Sequence, residues 1–285
     1  MSGSTLVSTE ALSRDLAEAD RSNLRPWRLF DCRHDLAKPE LGESQYREAH
    51  LPGAAFASLE RDLSAPKDGT NGRHPLPDPG AFVAWLGQQG LRPDDPAVCY
   101  DAGNGAMAAR LWWLLRWVGH AAVSVLDGGF AKWVKEGRPV TSEVLRFAPA
   151  RYPTRVQADM AVSVHSIEKQ LQSLTLIDAR APARWRGEME PIDPVAGRIP
   201  GARNRFSQDN VQADGTFKDP QIIKEEFLSI LGRRAPSDVV HYCGSGVAAC
   251  HNLLAMEVAG LPGGRLYAGS WSEWIADPRR PQERG

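Results

Sequence analysis

At 285 residues the chain is long enough for one large domain or two of ordinary size. A formal net charge of -1 leaves no electrostatic footprint for nucleic acid or an anionic membrane surface, and no apolar run approaches the ~20 residues of a membrane span. Four cysteines without regular spacing argue against a disulfide framework, and the opening Met1-Ser-Gly-Ser-Thr-Leu-Val-Ser-Thr-Glu10 lacks the basic stretch and apolar core of a secretory signal. The expectation is a soluble, cytoplasmic protein.

In chain order, Val7-Ser-Thr9 opens a helix over 9–19, with the serine or threonine as its cap. A β-rich run, Leu29-Phe-Asp-Cys-Arg33, is followed by the turn Ala49-His-Leu-Pro-Gly-Ala54. A helix begins in Pro79-Gly-Ala-Phe-Val-Ala-Trp-Leu86. A short strand at 97–100 leads into the loop Asp101-Ala-Gly-Asn-Gly105 and a long apolar helix, and Ala122-Val-Ser-Val-Leu126 is one more strand. Arg138-Pro-Val140 to Ala150-Arg-Tyr-Pro153 reads as a proline-bearing linker.

The same series then runs again. Val162-Ser-Val164 precedes a helix over 166–173, and Leu176-Ile-Asp-Ala-Arg180 matches Leu29–Arg33. Gly197-Arg-Ile-Pro-Gly-Ala202 matches Ala49–Ala54, and Gln221-Ile-Ile-Lys-Glu-Glu-Phe-Leu228 supplies the next helix. A strand at 238–242 reaches Cys243-Gly-Ser-Gly246 as 97–100 reaches Asp101. The strand Gly264-Arg-Leu-Tyr267 closes the second unit, and Tyr267-Ala-Gly-Ser-Trp-Ser-Glu-Trp274 matches Leu126-Asp-Gly-Gly-Phe-Ala-Lys-Trp133. Matches in the same order make this an internal repeat. Short apolar strands alternating with helices predict an α/β fold, each copy a parallel sheet covered on both faces. The expected domains are 1–143 and 156–285.

Cys243 stands out among the cysteines. It ends a β-branched run, two glycines follow within three residues, and an Ala/Leu-rich helix begins directly. Glycines there let successive N–H groups turn inward as an anion-binding nest, and the helix start adds donors and partial positive charge. That setting favours a thiolate and suits a nucleophile. Most free cysteines only pack, and Cys32, Cys99 and Cys250 fit that description. A metal reading of His241, Cys243, Cys250 and His251 fails on spacing, because adjacent Cys-His on a helix cannot both face one ion. Where the second copy has Cys243 the first has Asp101, so the first half is expected to lack sulfur chemistry.

Together these residues resemble the tandem-domain rhodanese superfamily of sulfurtransferases over essentially the whole chain. The loop Cys243-Gly244-Ser245-Gly246-Val247-Ala248 is similar to the C-G-[S/T]-G-V-T loop of the 3-mercaptopyruvate branch, with Ala248 in place of the threonine. The thiosulfate branch typically carries C-R-K-G-V-T, whose two cations suit a doubly charged substrate; Gly244 and Ser245 are neutral. The resemblance implies that Cys243 is the nucleophile, that the loop residues Gly244, Gly246, Val247 and Ala248 cradle the substrate, and that Arg184 grips its carboxylate. The branch's second arginine falls at Asp193 here, and Arg186 or Arg198 is a candidate replacement. In Arg73-His-Pro-Leu-Pro77, His74 resembles the histidine of a serine–histidine–acid relay with Ser245. Glu60 stands near the acidic position, with Asp62 as a rival. This relay would put the active site where the two halves meet.

The implied activity moves sulfur from 3-mercaptopyruvate through a persulfide on Cys243 to an acceptor: a small thiol, a thioredoxin-like protein or cyanide. No cofactor is implied. Thiosulfate:cyanide sulfurtransferase activity and a non-catalytic sulfur-carrier or regulatory module are the alternatives. A phosphatase of related fold needs arginine six places after its cysteine, and that place holds Ala249.

Overall fold

The structure, a computed structural model, describes residues 4–21 and 27–285. The first half carries β1 (Leu6–Val7), α1 (Thr9–Arg21), β2 (Arg28–Asp31), α2 (Leu41–Glu48) and β3 (Ala54–Phe56). It continues through α3 (Pro79–Gln88), β4 (Ala97–Tyr100), α4 (Ala106–Trp117), β5 (Val123–Leu126) and α5 (Gly129–Lys135). All strand pairings are parallel, in the order β1-β5-β4-β2-β3. The second half repeats this with α6 (Val164–Gln170), β6 (Thr175–Asp178), α7 (Pro182–Trp185), β7 (Arg203–Asn204) and α8 (Pro220–Leu231). It ends with β8 (Val239–Tyr242), α9 (Ala248–Val258), β9 (Arg265–Leu266) and α10 (Ser270–Trp274). Its parallel sheet runs β7-β6-β8-β9, and the place of β1 is taken by a single pairing of Ala161 with Leu266.

The local causes are legible. Asp78 and Asp219 each precede a proline, and each carboxylate accepts a backbone N–H of the helix that follows, α3 or α8. Ser163 caps α6 by accepting from Ser166 N, and Ser8 accepts from Ala11 N at the head of α1. The central strands β4, β6 and β8 are buried at every residue, as parallel strands covered on both faces must be. Leu12, Leu29, Val98, Tyr100 and Trp133 form the first core; Ile167, Leu176, Val240, Tyr242, Trp271 and Trp274 form the second.

The Asp-x-Arg motif does the same job twice. Arg33 chelates Asp31 through Nε and Nη2, the latter at 2.6 Å, and donates to Ala49 O at 2.6 Å. Arg180 chelates Asp178 with the same 2.6 Å contact and donates to Gly197 O at 2.7 Å. Each guanidinium therefore ties its strand end to the turn motif that follows. Both lie over an aromatic face, Arg33 over Phe130 and Arg180 over Trp271. Burial pushes the hydroxyl pKa of Tyr100 and Tyr242 well up, with the nearby aspartate adding to it, so each stays a donor beside its pair.

Two compact units emerge. One comprises Met1–Leu63, Pro77–Gln157 and Val211–Phe217; the other comprises Ser64–Leu76, Ala158–Asn210 and Lys218–Gly285. The halves of the sequence thus exchange short segments: the stretch with Arg73 and His74 belongs to the unit that carries Cys243. The linker is strapped along the first unit, through Thr141 to His50, Ala150 N to Gly87 O and Gln157 N to Trp117 O. No helix among the described residues is long and apolar enough to cross a membrane.

His241, fully buried on β8 with Nε2 3.0 Å from Met256 Sδ, is pressed by burial from 6.5 down to about 3. Between those values the unfolded chain takes up a proton that the folded chain refuses. Its contribution to stability is therefore complete above about pH 6.5 and is lost as the pH falls toward 3. The slope in that window is up to about 1.4 kcal/mol per pH unit. Urea midpoints of wild type and His241→Gln between pH 7 and 4 should diverge accordingly, the variant losing less on acidification. Parallel pH profiles would contradict this.

Candidate active site

Cys243 directly follows β8, and residues 243–247 curl before α9 begins. The curl is held from below. Cys243 N donates to Ser270 Oγ at 3.1 Å, Trp271 N to Cys243 O at 3.0 Å, and Ser272 N to Gly244 O at 3.0 Å. Gly246 has φ +79° and presses against Ala268, so that an added Cβ would stand 2.3 Å from Ala268 O. From there Gly246 N donates to Cys243 Sγ at 3.1 Å. Val247 is buried behind the loop, and the half-buried Ala248 opens α9.

Ser270 is the residue that reading the sequence missed. It has φ +56°, in the left-handed region, while Gly129, its match in the first half, has the same φ of +56°. A serine accepts that strain because its hydroxyl receives Cys243 N–H and donates to Tyr267 O at 2.9 Å. The signal was present as a departure within the repeat, Gly269-Ser270 against Gly128-Gly129.

Ser245 and His74 are both buried, with Ser245 Oγ 2.8 Å from His74 Nδ1. The segment around His74 is anchored beside the loop by Arg73 N, which donates to Ser272 Oγ at 3.0 Å. These contacts lie within one compact unit. Glu60 is half-buried in the turn after β3, in the other unit. Asp62 accepts from Ser58 N at 2.8 Å, closing its own turn, and burial raises its carboxyl above the usual range.

Arg184, on α7, is gripped by two carboxylates. Its Nε and Nη2 donate to Glu190 at 3.1 and 2.6 Å, and Nη2 also reaches Asp193 Oδ2 at 3.1 Å. The other oxygen of Asp193 pairs with Nη1 of Arg73. A Cβ built on Gly244 would lie 2.7 Å from Arg73 Nη2 and 3.5 Å from Arg184 Nη2. The loop is neutral; its neighbouring guanidiniums come from outside the loop and are paired with Asp193 and Glu190. Arg186 and Arg198, the candidate replacements for the missing arginine, are engaged elsewhere. Arg186 is paired with Glu188 at the surface, and Arg198 binds Glu283 and Gly285 O while stacked on Trp185. Arg73 is the guanidinium beside Gly244.

The neighbouring histidine and cysteine on α9 have partners other than Cys243. Cys250 donates to Gly246 O at 3.2 Å, and His251 Nδ1 lies 3.2 Å from Asn210 Nδ2. In the first half the corresponding loop is filled by its own side chain. The Asp101 carboxylate accepts from Gly103, Gly105, Met107 and Ala108 N–H groups at 2.8–3.2 Å. A loop of this plan therefore binds an anion, and the first half brings its own.

A sequence profile of the rhodanese-like domain matches residues 12–136 and 163–277. The chain belongs to the rhodanese-like family. This rhodanese-like chain is 47% identical over 289 residues to a Pseudomonas aeruginosa protein named a probable 3-mercaptopyruvate sulfurtransferase, covering 100% of both. It is 35% identical to a thiosulfate sulfurtransferase of Cricetulus griseus, over 95% of this chain and 91% of that one. The solved structure of the 3-mercaptopyruvate sulfurtransferase from Leishmania major superposes with a TM-score of 0.85 at 29% identity, covering 99% of this chain and 76% of that one.

Because Gly246 combines a left-handed backbone with a backbone oxygen at its Cβ position, Gly246→Ala should cost roughly 2–5 kcal/mol, the sum of both penalties. Gly201 has φ +74° but open space around it, so Gly201→Ala should cost only about 1–2 kcal/mol. Denaturant midpoints of the two variants check this; equal losses would mean that the contact with Ala268 is unimportant.

Proposed function

We propose that this rhodanese-like sulfurtransferase draws sulfur from 3-mercaptopyruvate on to Cys243 and passes it to a thiol or cyanide. The observation that carries the reading is the 2.8 Å contact between Ser245 Oγ and His74 Nδ1, two residues past the nucleophile. Mercaptopyruvate brings a thiol proton that must move during the reaction, whereas thiosulfate brings none. A hydroxyl–imidazole pair beside the sulfur suits the first donor.

In the first half-reaction the Cys243 thiolate attacks the donor sulfur, an S–S bond forms and the C–S bond breaks. The electron pair goes to the donor carbon as pyruvate enolate, and the thiol proton, carried by Ser245 and His74, ends on that carbon to give pyruvate. The persulfide's terminal negative sulfur is stabilised by the loop N–H groups, as the Asp101 carboxylate is in the first half. In the second half-reaction an acceptor thiolate or cyanide attacks the outer sulfur and Cys243 leaves as thiolate. A small thiol or a thioredoxin-like protein is the acceptor we favour. The first half, its nest plugged by Asp101, serves as a catalytically silent frame. The unpaired state of all four cysteines supports a reducing, cytoplasmic setting.

One observation favours a second reading, thiosulfate as donor: the guanidiniums of Arg73 and Arg184 beside Gly244 supply cations that the loop sequence lacks. Thiocyanate formation from each donor separates the two. Ser245→Ala should lower turnover with mercaptopyruvate by roughly 10²–10⁴ and leave thiosulfate within a few-fold of wild type. Faster use of thiosulfate by the wild type, or no selective loss in the variant, would overturn the mercaptopyruvate reading.

A further inference from the structure

We propose that Arg73 is the second donor-binding guanidinium of this site, held beside Arg184 by their shared partner Asp193, and that it reads the donor's negative charge. The inference rests on the assignment of Cys243 as nucleophile and goes beyond it by naming what recognises the donor.

Three observations meet at Gly244. First, Asp193 divides its oxygens, Oδ1 to Arg73 and Oδ2 to Arg184. One buried carboxylate thereby holds two cations side by side that would otherwise repel. Secondly, Arg73 uses Nη1 for Asp193 and turns Nη2 toward Gly244, the nearest of the surrounding nitrogens to that position at 2.7 Å from a built Cβ. A side chain at 244 would have to displace the end of the Arg73 guanidinium. Thirdly, the Arg73 guanidinium is electrostatically coupled to the loop: burial and the neighbouring Arg184 lower its pKa, and a negative charge at Cys243 would raise it.

Arg184 alone is poorly placed to do this work. Its Nε and Nη2 are committed to Glu190 and Asp193. Among the described residues Arg73 pairs with one carboxylate, Asp193, and an arm of its fork is directed at the loop. A planar fork of this kind suits a carboxylate or the sulfonate-like end of thiosulfate. The backbone of Arg73 is fixed through Ser272 Oγ, so the arm is aimed before the donor arrives. The absence of a second arginine on the loop after α7 is therefore compensated by an arginine from residues 64–76.

Alkylation of Cys243 by iodoacetate and by iodoacetamide tests this without requiring any sulfur transfer. Both reagents form a carbon–sulfur bond and release iodide, but only iodoacetate carries a carboxylate. The ratio of their rates cancels changes in thiolate content and reads anion recognition. Wild type should show a ratio at least tenfold above that of free cysteine, and pyruvate should slow the iodoacetate reaction. Arg73→Gln should lower the ratio by roughly ten- to a hundredfold, the worth of one ionic hydrogen bond, and raise the KM for the donor more than it lowers kcat. Arg73→Lys, which keeps charge and length, should recover part of the ratio. A wild-type ratio equal to that of free cysteine would overturn the proposal, as would an unchanged ratio in Arg73→Gln. If wild type shows the high ratio but takes no sulfur from mercaptopyruvate, the donor assignment fails while the role of Arg73 stands.

Discussion

The candidate site depends on how closely the loop 243–247 lies against residues 267–272. Three hydrogen bonds join the two segments, two between backbones through Cys243 O and Gly244 O and one from Cys243 N to the Ser270 hydroxyl. Gly246 fits between the loop and Ala268 O only because it has no side chain. Once that contact is made, the Gly246 N–H has no choice but to face Cys243 Sγ, and α9 starts where its N-terminal dipole points at the loop. Ser270 accepts an unfavourable backbone conformation for the same purpose. Cys243 is positioned here chiefly by backbone, and the side chains of His74, Arg73 and Arg184 reach its loop from elsewhere in the chain.

The duplicated frame shows where the two halves differ. Both copies end a buried strand with an Asp-x-Arg chelate that fastens the strand to the following turn, and both then form a glycine loop before a long helix. In the second copy the loop holds the Cys243 sulfur, which accepts an N–H from Gly246. In the first, Asp101 takes four N–H bonds for itself. Such a carboxylate is strongly held, because hydrogen bonds to an ionised group are worth about 1.5–3 kcal/mol each.

Much of this was legible in the amino-acid sequence because it is written locally. Strands of unbroken apolar residues, aspartate–proline helix starts and the repeat itself need only neighbours along the chain. The 2.8 Å approach of His74 to Ser245 joins residues 171 apart, and it was reached through resemblance to a family rather than through spacing. What could not be read was charge arriving from a distance. A neutral Gly244-Ser245 argued for a loop without cations of its own, yet Arg73 enters from residues 64–76 to stand beside Gly244. Asp193 looked like the loss of a binding arginine; in the structure it is the carboxylate that holds two arginines together. Ser270 was missed because strain is visible only in the backbone angles.

The central claim is that Cys243 alone carries the transferred sulfur. Intact-mass measurement after exposure to donor, followed by peptide mapping, tests it most directly. The account predicts one added sulfur atom on wild type, mapped to Cys243, and none on folded Cys243→Ser. Sulfur recovered on Cys32, Cys99 or Cys250, or persisting in the Cys243→Ser protein, would contradict it.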